Sequence, residues 1–139
     1  MVPSRSAAAA SLDSTRHAPG RFIPPMLLLR TSALPEGADW RYELKLDGYR
    51  AIAFTRSGAA YLRSRNDKAF EQRYPEVVAA LANAPADTVL DGEIVALDAD
   101  GRPTFTALQN AGSAPAPVVY YVFDLLVLRG RDVMSLPFD

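Results

Sequence analysis

Residues 40–47 alternate apolar and charged side chains position by position. A period of two predicts a β-strand with one apolar face and one charged face. Asp47 and Gly48 form a dipeptide that favours chain reversal, so residues 49–55 are predicted as the partner strand of a hairpin. Residues 59–65 are predicted as a third strand, because Ser57 and Gly58 mark another turn.

A helical spacing replaces this alternation in the middle of the chain. Apolar residues recur at three- and four-residue steps over residues 69–83, which predicts an amphipathic helix. Pro75 lies inside this range, and proline is poorly tolerated within a helix. The sequence therefore predicts either a kinked helix or a helix that begins near Tyr74.

The remainder of the chain predicts two further strands and a short helix. Residues 89–97 are predicted as a strand that ends in a turn over residues 98–101, and residues 104–110 as a helix capped by Thr104. Residues 118–128 are almost wholly apolar, so we expect a central strand rather than one facing solvent. Antiparallel sheets with flanking helices place the chain in the α+β class.

Composition narrows the function classes. The chain of 139 residues is long enough for one domain, and residues 1–20 are predicted to be a disordered leader or linker ahead of a folded part over residues 21–139. Cysteine is absent and His17 is the only histidine, so a metal ion must be held by oxygen ligands, which suits magnesium rather than zinc. The absence of cysteine also makes a reducing cytoplasm the expected location. No membrane span is expected, because no run of about 18 uncharged apolar residues occurs.

The charge of the chain leaves its partners open. The net charge of −1 gives no overall attraction to nucleic acid. Since only two of the fifteen basic residues are lysines, the other thirteen are arginines. Arginine forks suit phosphate groups, but an arginine-rich genome supplies the same residues at any surface position.

Lys45 is the most prominent candidate for chemistry. It shares the charged face of its predicted strand with Glu43 and Asp47, and Gly48 beyond them permits the close approach of a ligand. A predicted strand would hold this lysine rigidly. The same alternation is equally typical of the solvated face of an edge strand, so the pattern alone leaves both interpretations open.

The string Lys-x-Asp-Gly, extended here from Glu43 to Arg50, resembles the first motif of the covalent nucleotidyltransferases. That superfamily includes ATP-dependent DNA ligases, RNA ligases and mRNA capping enzymes. Three later segments resemble the motifs that follow, in the expected order: Ser64-Arg65-Asn66, residues 90–95 and residues 121–126. Four ordered motifs are much harder to produce by chance than one. The resemblance covers residues 22–139 and is strongest to bacterial DNA ligases of the end-joining type.

The resemblance implies a fold and a reaction. The fold is that of an incomplete nucleotidyltransferase domain, the ATP-grasp-like domain of a DNA ligase. Lys45 would attack the α-phosphorus of ATP in the presence of Mg²⁺, releasing pyrophosphate and forming lysyl-AMP. The AMP would pass to the 5′-phosphate of a nick in double-stranded DNA, and the 3′-hydroxyl would then displace it.

The resemblance also implies which residues bind the nucleotide. Glu43 would lie near the adenine amino group, and Phe123 would stack on the purine. Arg50 and Arg65 would contact ribose and phosphate, either of AMP or of the nick. Glu93 would hold the ribose or a water molecule of the metal ion.

Of the three aspartates in these motifs, only Asp47 belongs to the expected site. Asp47 would help to organise the water shell of the metal ion, together with Glu93. Asp91 and Asp124 are interpreted as structural.

The sequence also departs from the family pattern. It lacks the later Glu-Gly motif followed by lysine, the lysines that contact the α-phosphate, and the oligonucleotide-binding-fold domain. We therefore expect the N-terminal half of a ligase adenylation domain, which alone does not seal DNA and adenylates itself weakly or not at all. A monomer is expected, with a DNA-end-binding protein as a further partner. The alternatives are a non-catalytic remnant that binds a nucleotide or a partner, and part of an RNA ligase or capping-type enzyme.

Overall fold

The computed structural model of the protein describes residues 18–110 and 116–137, so the predicted leader lies almost wholly outside the described residues. The elements in chain order are β1 Tyr49–Arg56, β2 Ala59–Ser64, α1 Pro75–Leu81, β3 Val89–Ala96, α2 Phe105–Gln109, β4 Val118–Leu128 and β5 Arg131–Asp132. The strands form a five-stranded sheet in the order β2-β1-β3-β4-β5, and every neighbouring pair is antiparallel. The predicted α+β class is confirmed.

Both faces of β1 are buried, which makes it the centre of the fold. Ala51 and Ala53 face a cluster that contains residues of both helices, whereas Ile52 and Phe54 face the opposite way. The helix-side cluster includes Leu62, Tyr74, Val77, Leu81, Ile94 and Leu108. On the other face, Phe22 and neighbouring residues of the N-terminal segment pack against Val89, Leu126 and Val127.

The predicted strand over residues 40–47 is wrong. Both edges of β1 are already hydrogen-bonded, one to β2 and the other to β3, so no edge remains for a hairpin partner before Gly48. Tyr42 is 57% exposed and Leu44 is 90% exposed, so the alternating apolar face meets no core in the described part of the chain. Alternation describes the direction of side chains, but it does not identify a partner strand.

The predicted central position of β4 is also wrong for most of its length. β4 pairs with β3 from Val118 to Val127, but β5 covers only Val127 and Leu128. Among the described residues the other edge of β4 is therefore open. Tyr121 and Val122 are 43% and 46% exposed.

Both helices occur where the sequence predicts them. Of the two alternatives around Pro75, the later start is confirmed: α1 begins at Pro75, and Tyr74 occupies the N-cap position. Proline suits the first turn because its missing N–H would have no helical partner there. Thr104 occupies the N-cap position of α2 but makes no side-chain capping hydrogen bond. Neither helix has the length and apolar character needed to cross a membrane.

A β-bulge interrupts the pairing of β3 with β4. Asp91 pairs with Asp124 and Gly92 pairs with Val122, so Phe123 is an extra residue without a partner on β3. A bulge bends its strand and changes the direction of the side chain it carries. The position of Phe123 relative to the residues around it is therefore determined by this irregularity.

Candidate active site

A cleft of about 370 Å³ brings three distant segments of the chain together. Its lining comprises Gly48, Tyr49, Arg50, Ser64, Arg65, Asn66, Phe70 and Glu93. The strand register explains this convergence, because Ala51 pairs with Ser64 and Arg50 pairs with Glu93. The start of β1, the end of β2 and the middle of β3 therefore meet at one place.

Gly48 lies in tight contact with the backbone of β3. Its N–H donates a hydrogen bond to Oε1 of Glu93 over 3.2 Å. A Cβ atom at this position would lie only 2.1 Å from the carbonyl oxygen of Ile94. The sequence predicted that Gly48 allows a ligand to approach closely. In the structure, the group that lies against Gly48 is β3.

Arg50 is held by two partners at the cleft. Its Nε and Nη2 atoms donate to the two carboxylate oxygens of Asp91 over 2.5 and 2.7 Å. Its Cζ atom also lies 4.5 Å from the ring centroid of Phe123, a cation–π contact. Burial opposes the charge of Arg50, but the hydrogen bond and the negative charge of Asp91 outweigh burial and raise the pKa of Arg50 above its ordinary value.

Glu93 occupies a mixed environment opposite Arg50. Burial raises the pKa of its carboxyl group above the ordinary value, and the negative charge of Asp47 acts in the same direction. The positive charge of Arg50, the N–H of Gly48 and the positive charge of Lys45 act to lower this pKa. Lys45 and Asp47 therefore lie within electrostatic range of Glu93, although neither lines the cleft.

We expect Glu93→Gln to raise the thermal midpoint of unfolding at neutral pH. The raised pKa means that the ionised form of Glu93 is less favourable in the folded state than in the unfolded state. A neutral glutamine keeps the acceptor for Gly48 and removes this cost. The stability of the wild type should rise as the pH falls through the pKa of Glu93, so the difference between the two proteins should shrink. Thermal melts at neutral and mildly acidic pH measure this, and a difference independent of pH would contradict the prediction.

The predicted site residues divide into two groups. Arg50, Arg65 and Glu93 line the cleft. Glu43 and Lys45 are exposed on the segment that precedes Gly48, and that segment is not a strand. The rigid strand that the sequence predicted for Lys45 is therefore absent.

Phe123 and Asp47 lie beside the cleft lining. Phe123 presents its ring to Arg50, and Asp47 is exposed immediately before Gly48. Stacking of Phe123 on a purine stays a prediction, as do the expected contacts of Glu43.

Two aromatic residues of the cleft escaped the sequence analysis. Tyr49 contacts Phe70 edge-on at 6.2 Å between ring centroids and Phe105 at 5.4 Å. The guanidinium of Arg73 lies 4.8 Å from the ring centroid of Tyr49. Phe70 matched the apolar spacing of the predicted helix over residues 69–83, so it was interpreted as a helix residue. In the structure the helix begins only at Pro75, and Phe70 lines the cleft instead.

The oxygen donors near the cleft are sparse. No group of three or more histidine, cysteine, aspartate or glutamate side chains suited to a metal ion occurs among residues 18–110 and 116–137. Magnesium commonly retains several waters and binds through one or two carboxylates together with substrate phosphates. Asp47 and Glu93 match that donor chemistry.

The cleft is lined by aromatic side chains, two arginines and a carboxylate, and a lysine lies on the adjoining segment. These features are typical of a site that binds a phosphorylated ligand in an α+β domain. The chain belongs to the ATP dependent DNA ligase domain family, whose model matches residues 25–139. The family resemblance inferred from the ordered motifs is confirmed.

Curated relatives are bacterial ligases that are much longer than this chain. The multifunctional non-homologous end joining protein LigD of Pseudomonas aeruginosa is 38% identical over 121 residues, which cover 85% of this chain and 14% of that protein. DNA ligase C2 of Mycolicibacterium smegmatis is 38% identical over 128 residues, which cover 84% of this chain and 35% of that protein. The chain thus spans a small part of each relative.

Solved structures show the same fold. The ligase domain of Mycobacterium tuberculosis LigD superposes with a TM-score of 0.57 at 43% identity, covering 65% of this chain and 30% of that domain. A mycobacterial DNA ligase D complexed with ATP and MES gives the same TM-score at 40% identity and the same coverage. The matched region therefore has the fold of part of a bacterial end-joining ligase domain.

Proposed function

We propose that this chain supplies the lysine-bearing, nucleotide-binding part of an ATP-dependent DNA ligase. The observation that carries the proposal is the cleft in which Gly48 and Arg50 of the first motif meet Arg65 of the second and Glu93 of the third. Lys45 lies on the segment next to that cleft, within electrostatic range of Glu93. A mycobacterial relative of the same fold binds ATP.

The proposed reaction begins at the amine of Lys45. Its Nζ atom attacks the α-phosphorus of ATP, a phosphorus–nitrogen bond forms, pyrophosphate leaves and the amine loses a proton to solvent. An oxygen of the 5′-phosphate at a DNA break next attacks the phosphorus of the bound AMP. The phosphorus–nitrogen bond breaks, Lys45 regains its free amine, and AMP is joined to the DNA through a phosphoanhydride bond. Attack by the 3′-hydroxyl then forms the phosphodiester bond and releases AMP.

The other residues of the site bind and orient the nucleotide. Arg50 and Arg65 supply guanidinium donors to sugar or phosphate oxygens, a contact for which arginine is well suited. Phe123 and Glu43 are proposed to recognise the base. Asp47 and Glu93 would hold the waters of a magnesium ion, which neutralises phosphate charge when it is bound.

The relatives indicate a role in the repair of DNA breaks. LigD of Pseudomonas aeruginosa is a multifunctional end-joining protein, and LigD of Bacillus subtilis is a bifunctional one. We propose broken double-stranded DNA as the substrate, a cytoplasmic location, a monomeric chain and cooperation with a DNA-end-binding protein. Covalent chemistry at Lys45 is the part of this proposal that the present chain can test directly.

Incubation of the purified chain with α-labelled ATP and magnesium, followed by denaturing electrophoresis and peptide mapping, tests this chemistry. We expect label on the peptide that contains Lys45 and none on the peptide that contains Lys68, the other lysine of the chain. Binding of ATP without any label would instead support a non-catalytic nucleotide-binding protein. A preference for GTP as the label donor would favour a capping-type enzyme, and neither binding nor label would overturn the proposal.

A further inference from the structure

Asp91 is the one buried charged side chain among residues 18–110 and 116–137, with 3% of its surface exposed. Both of its carboxylate oxygens accept hydrogen bonds from Arg50, over 2.5 and 2.7 Å. This is a two-point contact, which fixes the orientation of a guanidinium as well as its position. Asp91 does not line the cleft, whereas Arg50 does.

The strand register produces this arrangement. Arg50 pairs with Glu93 across β1 and β3, and Ile52 pairs with Asp91. Asp91 is therefore the diagonal neighbour of Arg50 on the same face of the sheet, within reach of a long side chain.

Arg50 has hydrogen-bonding capacity left over after this contact. A guanidinium carries five N–H donors, of which Asp91 occupies two. The ring of Phe123 lies over one flat side of the guanidinium, at 4.5 Å from its centroid to Cζ. The carboxylate of Asp91 prevents the guanidinium from rotating within its own plane, and the ring of Phe123 prevents it from tilting out of that plane. The remaining N–H donors therefore have a defined direction, on a side chain that is 23% exposed and lines the cleft.

We propose that Asp91 is a positioning residue for the nucleotide, which acts by aiming the remaining N–H groups of Arg50 at sugar or phosphate oxygens of ATP. The inference rests on the proposed function, because it assumes that ATP occupies the cleft. Asp91 itself does not touch the nucleotide, since both of its oxygens face Arg50. A carboxylate that only stabilised the sheet would not couple energetically to Arg50 in nucleotide binding.

A double-mutant cycle on ATP affinity, measured by calorimetry with the full chain, tests this coupling. We expect Asp91→Asn to weaken ATP binding about tenfold or more, the range for a lost hydrogen bond to a charged group. In the Arg50→Ala background the same change should have no further effect. Asp124→Asn is the matched control, because Asp124 pairs with Asp91 across the sheet and is exposed. Its ATP affinity should equal that of the wild type.

Adenosine in place of ATP identifies which oxygens Arg50 contacts. A loss of affinity for both ligands in Asp91→Asn indicates the sugar, and a loss for ATP alone indicates the phosphates. Either result supports the proposal. The proposal would be overturned if Asp91→Asn reduced the ATP affinity equally in the wild-type and Arg50→Ala backgrounds. It would also be overturned if Asp91→Asn bound ATP with wild-type affinity.

A second measurement separates this proposal from the proposed function. In the wild type we expect the Nε–H proton of Arg50 to exchange slowly with solvent in nuclear magnetic resonance spectra, and to exchange fast in Asp91→Asn. If Asp91→Asn does not fold, Asp91→Glu provides the test, because it keeps the charge but displaces the carboxylate. An unchanged Nε–H exchange rate in the folded variant refutes the positioning role. Failure of the wild type to bind ATP refutes the proposed function instead, and slow exchange would then show Asp91 to be a structural partner of Arg50 only.

Discussion

Lys45→Ala is expected to abolish the covalent AMP adduct, because the attacking nitrogen is removed. Lys68 is the only other lysine in the chain, and it is exposed outside the cleft lining. Autoradiography after denaturing electrophoresis measures the result. The expected change is a complete loss of label, in contrast to the partial loss expected when a binding residue such as Arg65 is removed.

Lys68→Ala is the matched control for this experiment, and it should retain wild-type labelling. Lys45→Arg adds a second control, because arginine keeps the positive charge but remains protonated and cannot act as a nucleophile. We expect Lys45→Arg to bind ATP and to form no adduct. Persistent label in Lys45→Ala, lost in Lys68→Ala, would show that the reactive lysine has been assigned to the wrong position.

Gly92→Ala is expected to reduce the free energy of unfolding by about 3 kcal/mol, near the upper end for overpacking in a closely packed interior. A Cβ atom on Gly92 would lie 2.3 Å from the carbonyl oxygen of Tyr121 and 2.6 Å from the ring of Tyr120. Tyr120 cannot retreat freely, because its hydroxyl donates to the carbonyl oxygens of Ala51 and Leu90. The clash therefore forces β3 and β4 apart. Urea denaturation measures the loss.

Gly101→Ala is the control for this second prediction. Gly101 has a φ of +76°, and a Cβ atom at this position would have no other atom within 4 Å, so only backbone strain opposes the change. The expected cost is about 1 kcal/mol, the lower end for a non-glycine residue in the left-handed region. Equal destabilisation by the two substitutions would show that contact with Tyr120 and Tyr121 is not the cause.

The succession of elements followed directly from local patterns. The strands from β1 to β4 and both helices appear where alternation, helical spacing and turn residues predicted them. Pro75 begins α1 because proline suits the first helical turn, a property that depends on no distant residue. The only large local error was the strand over residues 40–47. Its apolar and charged residues do alternate, but a strand also needs a free sheet edge with which to pair. The rest of the fold leaves no such edge on β1, which pairs with β2 and β3.

The site was predicted by residue type more reliably than by geometry. The ordered motifs identified Arg50, Arg65 and Glu93, which the strand register then placed around one cleft. Tyr49 and Phe70 also line that cleft. Aromatic residues at apolar positions are more often part of a core, so no separate signal marked these two in the sequence.

The role proposed for Asp91 illustrates what sequence reasoning omitted. Read alone, Asp91 was a structural carboxylate next to Gly92. Its proposed role depends on a diagonal contact with Arg50 between two strands, across 41 positions of the chain. No local pattern encodes that contact.

The amino-acid sequence by itself determined most of the secondary-structure elements, the family and the lysine proposed to carry AMP, because each depends on residue identity and short-range spacing. Tertiary structure alone decided three other features: that β1 rather than β4 is enclosed on both edges, that a bulge carries Phe123 over Arg50, and that Asp91 restrains the same arginine. These features depend on strand register. Register arises from the packing of both sheet faces at once, and no single segment of the chain contains that information.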